Sequence, residues 1–364
     1  MLTAGDDYPL HQRPEPIAFA GTDRNFYDRY FFNGQAADGS LFFAAALGVY
    51  PHLNLLDAAV TVMDGEGSRS VFASRILHHE RMATNAGPIS IEVVEPLRRL
   101  RVRLETTEGL AADMTATGLH FPIEEPRFTR RIHGRTLMDV TRMTQNVRWE
   151  GALSIDGKSV RVDGFLGTRD RSWGVRPIGA ADPQGLAPPV APQFFWLWAP
   201  LHFGTHSLYA HTNDDGEGAP WNRSAVLVDH DDGSETRLTD VAFALELEPG
   251  TRRAHAARIT GQMAGKGPVE ARLSGDRHFQ MSAIGYGHPT RGHGSFHGEL
   301  SVTSERKAFS DIDPALPANA HVQTLASATL ALPDGATLAG RGVLEQLMIG
   351  PHRPTGLKEL FDLG

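Results

Sequence analysis

Asp170 is the residue whose neighbours best suit it to move a proton. It lies in Gly164-Phe165-Leu166-Gly167-Thr168-Arg169-Asp170-Arg171-Ser172-Trp173-Gly174-Val175-Arg176-Pro177. Strand alternation carried forward from Val160 and Val162 puts Gly164, Leu166, Thr168 and Asp170 on one face, with Arg169 and Arg171 on the other. This reading turns the Asp170 carboxyl into the mouth of an apolar interior, where desolvation favours its neutral, proton-donating form. The competing reading is a clamp, in which Asp170 pairs with Arg169, Arg171 or Arg176 and pins a strand end.

A second cluster runs from Gln193 to His211. Trp196 and Trp198 share a strand face and can offer π-surfaces to a developing carbocation or simply pack. Tyr209 and His211 share a face of the following strand, where either of them, or His206, can position water. His202 and His206 have the i, i+4 spacing of a helical metal pair, but no Glu follows His202 and no helix is expected there. His288, His293 and His297 with Glu299 form the densest histidine group, set among Gly287, Gly292, Gly294 and Gly298. It is the basis of one alternative, a His-coordinated metalloenzyme. The preferred reading has no metal and no cofactor. No Gly-x-Ser-x-Gly elbow, phosphate-binding loop or dinucleotide fingerprint occurs, which argues against an α/β hydrolase, a P-loop enzyme and a Rossmann dehydrogenase.

Composition narrows the field further. The chain has 364 residues with no cysteine, so disulfides, thiolate metal sites and cysteine nucleophiles are excluded. A formal net charge of −8 repels phosphate backbones, and no nucleic-acid partner is expected. The acidic N-terminus lacks the charge pattern of a signal peptide, and no apolar run approaches bilayer length, so the expectation is a cytoplasmic protein.

The elements that must carry these side chains read as strands. The 38 glycines and 23 prolines punctuate short runs of alternating polarity. Leu100, Val102 and Leu104 fall on one face, with Arg99, Arg101 and Arg103 on the other. One short helix is expected, Thr355 to Asp362. The Pro/Gly-rich segment 178–192 reads as a linker between domains at 1–177 and 193–364. Ser40-Leu41, Asp64-Gly65 and Met114 to Gly118 match Ser207-Leu208, Asp232-Gly233 and Met281 to Gly285 at offsets near 167. Asp156-Gly157 matches Asp334-Gly335 at a larger offset, which suggests a duplication with an insertion near Ser304 to Ala320. In that alignment Asp170 meets Met348, so the polar constellation belongs to the first half alone, which weakens the clamp. The fold expected is all-β, with two tandem antiparallel barrel or sandwich domains, few short helices and an apolar ligand cavity.

At Asp170, Trp173 and Gly174 the chain resembles the Asp-x-x-Trp-Gly element of the hydroxyneurosporene synthase (carotenoid hydratase)-like proteins. The resemblance implies two tandem lipocalin-like β-domains, an architecture similar to that of tocopherol cyclase and fungal Diels–Alderases. It also implies isoprenoid or polyene substrates, no cofactor, and Asp170 as proton donor. The leading expectation is therefore a cofactor-independent lyase, either a hydratase or dehydratase, or a cyclase, acting on a hydrophobic isoprenoid, steroid or polyene-like small molecule. Asp170 would be its general acid, His206 and Tyr209 its other catalytic candidates, and Trp173, Arg169, Arg171, Trp196, Trp198, His202 and His211 its substrate-binding candidates. Such a substrate brings an expectation of transient contact with a membrane surface. The alternative is a non-catalytic carrier of hydrophobic molecules, whose charged mouth at Arg169 and Arg171 suits an amphipathic acid.

Overall fold

The computed structural model describes residues 1–11, 23–78, 80–178 and 190–363. Most of the expected linker, 179–189, lies outside the described residues. The first strands are β1 (Phe26–Gln35), β2 (Phe42–Tyr50), β3 (Leu55–Met63), β4 (Gly67–Ile76), β5 (Asn85–Ala86), β6 (Ile89–Glu95), β7 (Arg99–Thr107) and β8 (Leu110–Gly118). They are followed by β9 (Ile123–Glu124), β10 (Phe128–Ile132), β11 (Arg135–Ile155), β12 (Lys158–Arg161) and β13 (Leu166–Val175). Next come β14 (Phe194–His202), β15 (His206–Asp214), β16 (Pro220–Asp229), β17 (Glu235–Arg237), β18 (Thr239–Leu247), β19 (Ala254–Met263) and β20 (Gly267–Gln280). The last three are β21 (Leu300–Ala308), β22 (Val322–Ala331) and β23 (Thr337–Ile349). Among the described residues the helices are short 3-10 turns, and none is long and apolar enough to cross a membrane.

Two antiparallel sheets result. The first runs β21-β4-β3-β2-β1-β13-β11-β8-β7-β6-β5 and the second β17-β16-β15-β14-β23-β22-β20-β19-β18. From β4 to β6 the first order matches the second strand for strand. The Asp-Gly turns occupy equivalent places, Asp64-Gly65 and Asp232-Gly233 after the third strand, and Asp156-Gly157 and Asp334-Gly335 after β11 and β22. The match at Met281 to Gly285 is not an equivalence: Met114 lies inside β8, whereas Met281 starts a 3-10 turn beyond the end of β20. Each sheet curls toward closure. Arg75 on β4 reaches the Ala83 and Asn85 carbonyls at 2.6 Å, and in the second sheet the Leu238 amide donates to the Ala225 carbonyl at 2.9 Å.

The compact units are not contiguous in sequence. One comprises Met1–Leu186 with Ser282–Asp311, the other Ala187–Met281 with Ile312–Gly364. The extra length of the second half is thus more than a polar insertion. The chain leaves the second unit, lays β21 against β4 as an edge strand of the first sheet, and returns. Residues Ala283 to Gly294 cap the outer face of β1 to β3: Arg29 donates to the Ile284 carbonyl at 3.1 Å and Thr61 to the Ala283 carbonyl at 2.7 Å.

Inside the first sheet, Tyr30, Phe32, Phe43, Val60, Val102 and Trp149 belong to one packed cluster. The alternation read at Leu100, Val102 and Leu104 holds, and all three join this cluster. Gly167 marks its tightest approach. A Cβ there would press on the Asn33 carbonyl and the Trp149 indole, which are already hydrogen-bonded to each other at 2.9 Å. Gly167→Ala is expected to lower stability by about 1–3 kcal/mol. Gly65→Ala, where open space surrounds the added carbon, should leave the melting temperature unchanged. Equal midpoints for the two variants would refute this packing account.

The expected C-terminal helix is absent. A 3-10 turn at Arg353–Thr355 ends at Gly356, whose left-handed φ of 78° stops propagation. Leu357 instead pairs with His352, and the Asp362 carboxylate takes the Lys358 and Glu359 amides and the Arg252 guanidinium.

Candidate functional site

The structure reverses the expected facing around Asp170. Arg169 and Arg171 lie in register with Phe32 and Tyr30, so they point to the interior of the first sheet, while Asp170 pairs laterally with Phe31 on the outer face. Alternation from Val160 fails because the chain turns between β12 and β13. Gly164 takes a φ of 82° and the Phe165 amide closes back on the Val162 carbonyl at 3.0 Å, which breaks the two-residue period.

The two arginines are sealed rather than ligand-facing. Arg169 binds the Asp7 carboxylate at 2.6 Å and the Gln145 amide oxygen at 2.6 Å. Arg171 pairs with Asp28, lies over the Tyr30 ring and donates to the Tyr8 carbonyl at 2.9 Å. Burial opposes the Arg171 charge, but Asp28 and Tyr30 raise its pKa. Burial likewise works against ionised Asp28, yet Arg171 and His11 bring its pKa below the ordinary carboxylate value. Trp173 stacks on His11 at 3.6 Å beside this network. Arg169, Arg171 and Trp173 therefore join the N-terminal turn in plugging one end of the sheet.

The outer face of the same sheet carries different chemistry. One cross-strand row is Asp170, Phe31, Ala46 and Ala59; the next is Ser172, Arg29, Gly48 and Asp57. The two carboxylates thus bracket a floor of small and apolar residues. They stand three strands apart and two residues offset, or roughly 16 Å at about 4.8 Å per strand and 3.4 Å per residue. The alternation analysis singled out Asp170 and missed Asp57. Its signal was a lone carboxylate in Leu55-Leu56-Asp57-Ala58-Ala59-Val60.

Asp57 is held on both oxygens. The Tyr50 hydroxyl donates to Oδ1 at 3.1 Å, the Gly294 amide donates to Oδ2 at 2.8 Å, and Arg29 lies 3.5 Å from Oδ1. Burial nevertheless dominates and pushes the Asp57 pKa up, against the opposing pull of Arg29. Burial and the Asp57 charge both raise Tyr50, which stays a neutral donor. Nearby, Arg176 donates to His293 Nδ1 at 3.1 Å, so His293 Nε2 carries the proton it gives to the Ile284 carbonyl at 3.1 Å. Asp57, Ser74, Arg291, His293 and His297 line a cavity of about 20 Å³.

In the second unit, Trp196, Trp198, His202, Tyr209 and His211 share the outer face of β14 and β15, opposite a cluster that holds Leu197, Ala199 and Leu208. His206 falls on the opposite side, at a strand end near Asp229, so it does not join Tyr209 and His211. This face carries a second missed carboxylate, Glu345, again alone in an apolar strand. Its Oε1 accepts from Trp196 Nε1 at 3.0 Å and lies 3.0 Å from His321 Nε2, and its Oε2 accepts from Gln323 at 2.8 Å. Burial opposes ionisation, but His321 and the other donors bring its pKa below the ordinary value. The face therefore carries buried aromatic side chains and one fixed anion.

The three histidines of the metalloenzyme alternative do not converge. His288 Nε2 bonds Glu305 at 2.8 Å, His293 is engaged by Arg176 and Ile284, and His297 lines the small cavity with His293 but without His288. Among the described residues no group of three His, Asp or Glu side chains is arranged to hold a metal.

Fold and site together define an all-β protein of two tandem lipocalin-like antiparallel sheets, with carboxyls on the outer faces. Residues 2–358 match the family described as "Family of unknown function (DUF8625)", and the chain belongs to that family. Comparison with curated proteins finds no match. Solved structures that share the fold include the following three. A protein of Nitrosomonas europaea described as a candidate AttH is 16% identical, with a TM-score of 0.53 over 93% of this chain and 98% of that one. Kievitone hydratase from Nectria haematococca is 10% identical, with a TM-score of 0.53 over 94% and 97%. CghA, solved with Sch210972, is 11% identical, with a TM-score of 0.50 over 94% and 95%.

Proposed function

We propose that the protein is a cofactor-independent acid–base enzyme, a hydratase, dehydratase or cyclase. Its substrate is an alkene-bearing hydrophobic small molecule of isoprenoid or polyene type. The observation that carries this reading is Asp57, a partly buried carboxyl whose pKa desolvation raises and whose orientation Tyr50 and Gly294 fix. A carboxyl so held retains its proton to higher pH and can deliver it to an alkene carbon. Arg29 lies beside the carboxylate that remains. Asp170 is the second carboxyl on the same face of the sheet, with Phe31, Ala46 and Ala59 buried between the two. The shared architecture with a hydratase and with CghA is consistent with this chemistry.

The test is incubation of the purified protein with kievitone and a panel of linear polyenes in oxygen-18 water, followed by mass spectrometry. At least one compound is expected to gain or lose the mass of one water, or to return as a cyclised isomer. If compounds stay bound in native mass spectra yet are recovered unchanged throughout, the protein is a carrier and the enzymatic reading falls.

A further inference from the structure

Two buried polar atoms at the small cavity beside Asp57 lack a hydrogen-bond partner, Ser74 Oγ and His297 Nε2. Such orphaned atoms are rare in folded proteins, because each carries an uncompensated desolvation cost. Ser74 is buried and sits in direct register with Asp57 across β3 and β4, on the same face. His297 approaches from the segment that caps that face. The cavity of about 20 Å³ exceeds the ~10–15 Å³ that one water requires, and a buried water needs two to four polar partners. Ser74, His297 and Asp57 supply that number.

We infer that this cavity is a single-water site, in which Ser74 and His297 orient the water that reacts with the cation formed when Asp57 protonates the substrate. The inference rests on the proposed acid–base reading for its chemistry, but not for the existence of the site. The step balances. The Asp57 proton forms the new C–H bond and leaves a carboxylate, and a water lone pair forms the C–O bond. One water proton passes to His297 Nε2 and from there returns to Asp57, so the sum is alkene plus water to alcohol. His297 suits the transfer because burial, and then Arg291, hold its pKa below the ordinary value against a smaller opposing pull from the Thr290 backbone, which keeps the ring neutral. Ser74 and His297 are positioning residues in this scheme.

Two measurements test it. A crystal structure of the full chain is expected to show one ordered water within hydrogen-bond distance of both Ser74 Oγ and His297 Nε2. A dry cavity, or a direct Ser74–His297 contact, overturns the site even if the protein is active. An ordered water there upholds the site even if no alkene is turned over, a result that would remove the enzymatic reading alone. For the role, Ser74→Ala and His297→Asn are assayed on a compound that the wild type hydrates. Alcohol formation should fall about 100-fold at unchanged KM, while isomerised alkene, the product of an unquenched cation, appears in its place. A merely structural role would not shift that partition, so an unchanged alcohol-to-alkene ratio in both variants overturns the assignment.

Discussion

Arg171→Met is expected to lower the stability of the first unit by about 3–5 kcal/mol, the cost of leaving a buried charge without its partner. Asp28 is almost fully buried; the Arg171 charge is the largest single influence holding it ionised against burial, and His11 bonds its other oxygen. Methionine fills the space over Tyr30 but returns no charge. For a unit of this size the melting temperature should fall by roughly 2–4 °C per kcal/mol. Asp28→Asn combined with Arg171→Met should recover much of the loss, because a neutral pair removes the buried charge along with its partner. The sign of the pH dependence follows from the lowered Asp28 pKa. The stabilisation is fully present above the ordinary carboxyl value and is lost as pH falls through the lower folded value. The single-variant penalty should therefore shrink in acid. A single variant within 1 kcal/mol of the wild type near neutral pH would show that this ion pair does not hold the sheet end closed.

The same residues show what could be read from the chain and what could not. Period-two alternation located β7 because one face of it is exposed, which imprints the pattern on Arg99 to Leu104. In β1 and β2 every position is buried, so alternation carries no information about facing there. The facing of Asp170 was lost at a turn, where a left-handed glycine resets the register. The interior placement of Arg169 and Arg171 depends on Asp7 and Asp28, more than a hundred residues away, and no local pattern encodes such partners. The correspondence between the two halves was legible through the Asp-Gly turns, since turn residues mark the ends of strands. The return of β21 to the first sheet was not, because an edge strand of mixed polarity looks like any surface segment. Asp57 and Glu345 were legible in principle. A solitary carboxylate in an apolar strand is costly unless something holds it, and that cost is a better pointer to a site than the density of arginines or histidines.

Asp57→Asn is expected to reduce turnover by about 10²–10⁴, the usual contribution of a positioned proton donor. The test is clean because asparagine keeps the shape of the side chain. Its amide can still accept from the Gly294 amide and bond the Tyr50 hydroxyl, so the capping segment stays in place. Only the transferable proton is gone, and KM should change far less than kcat. Asp170→Asn, made in parallel, separates the two carboxyls. If Asp57 is the donor, the Asp170 variant retains the larger share of activity; the opposite ranking would return the role to Asp170. The raised Asp57 pKa gives a second readout that needs no substrate. A carboxyl whose folded pKa lies above its unfolded value binds more protons in the native state, so its contribution to stability is present at low pH and lost as pH rises through the folded value. The melting temperature of the wild type, taken relative to Asp57→Asn, should therefore fall as pH rises from the ordinary carboxyl range and level off once Asp57 is ionised. A difference that stays flat across that range would show that burial does not hold a proton on Asp57, and would remove it as the acid whatever the turnover of the variant.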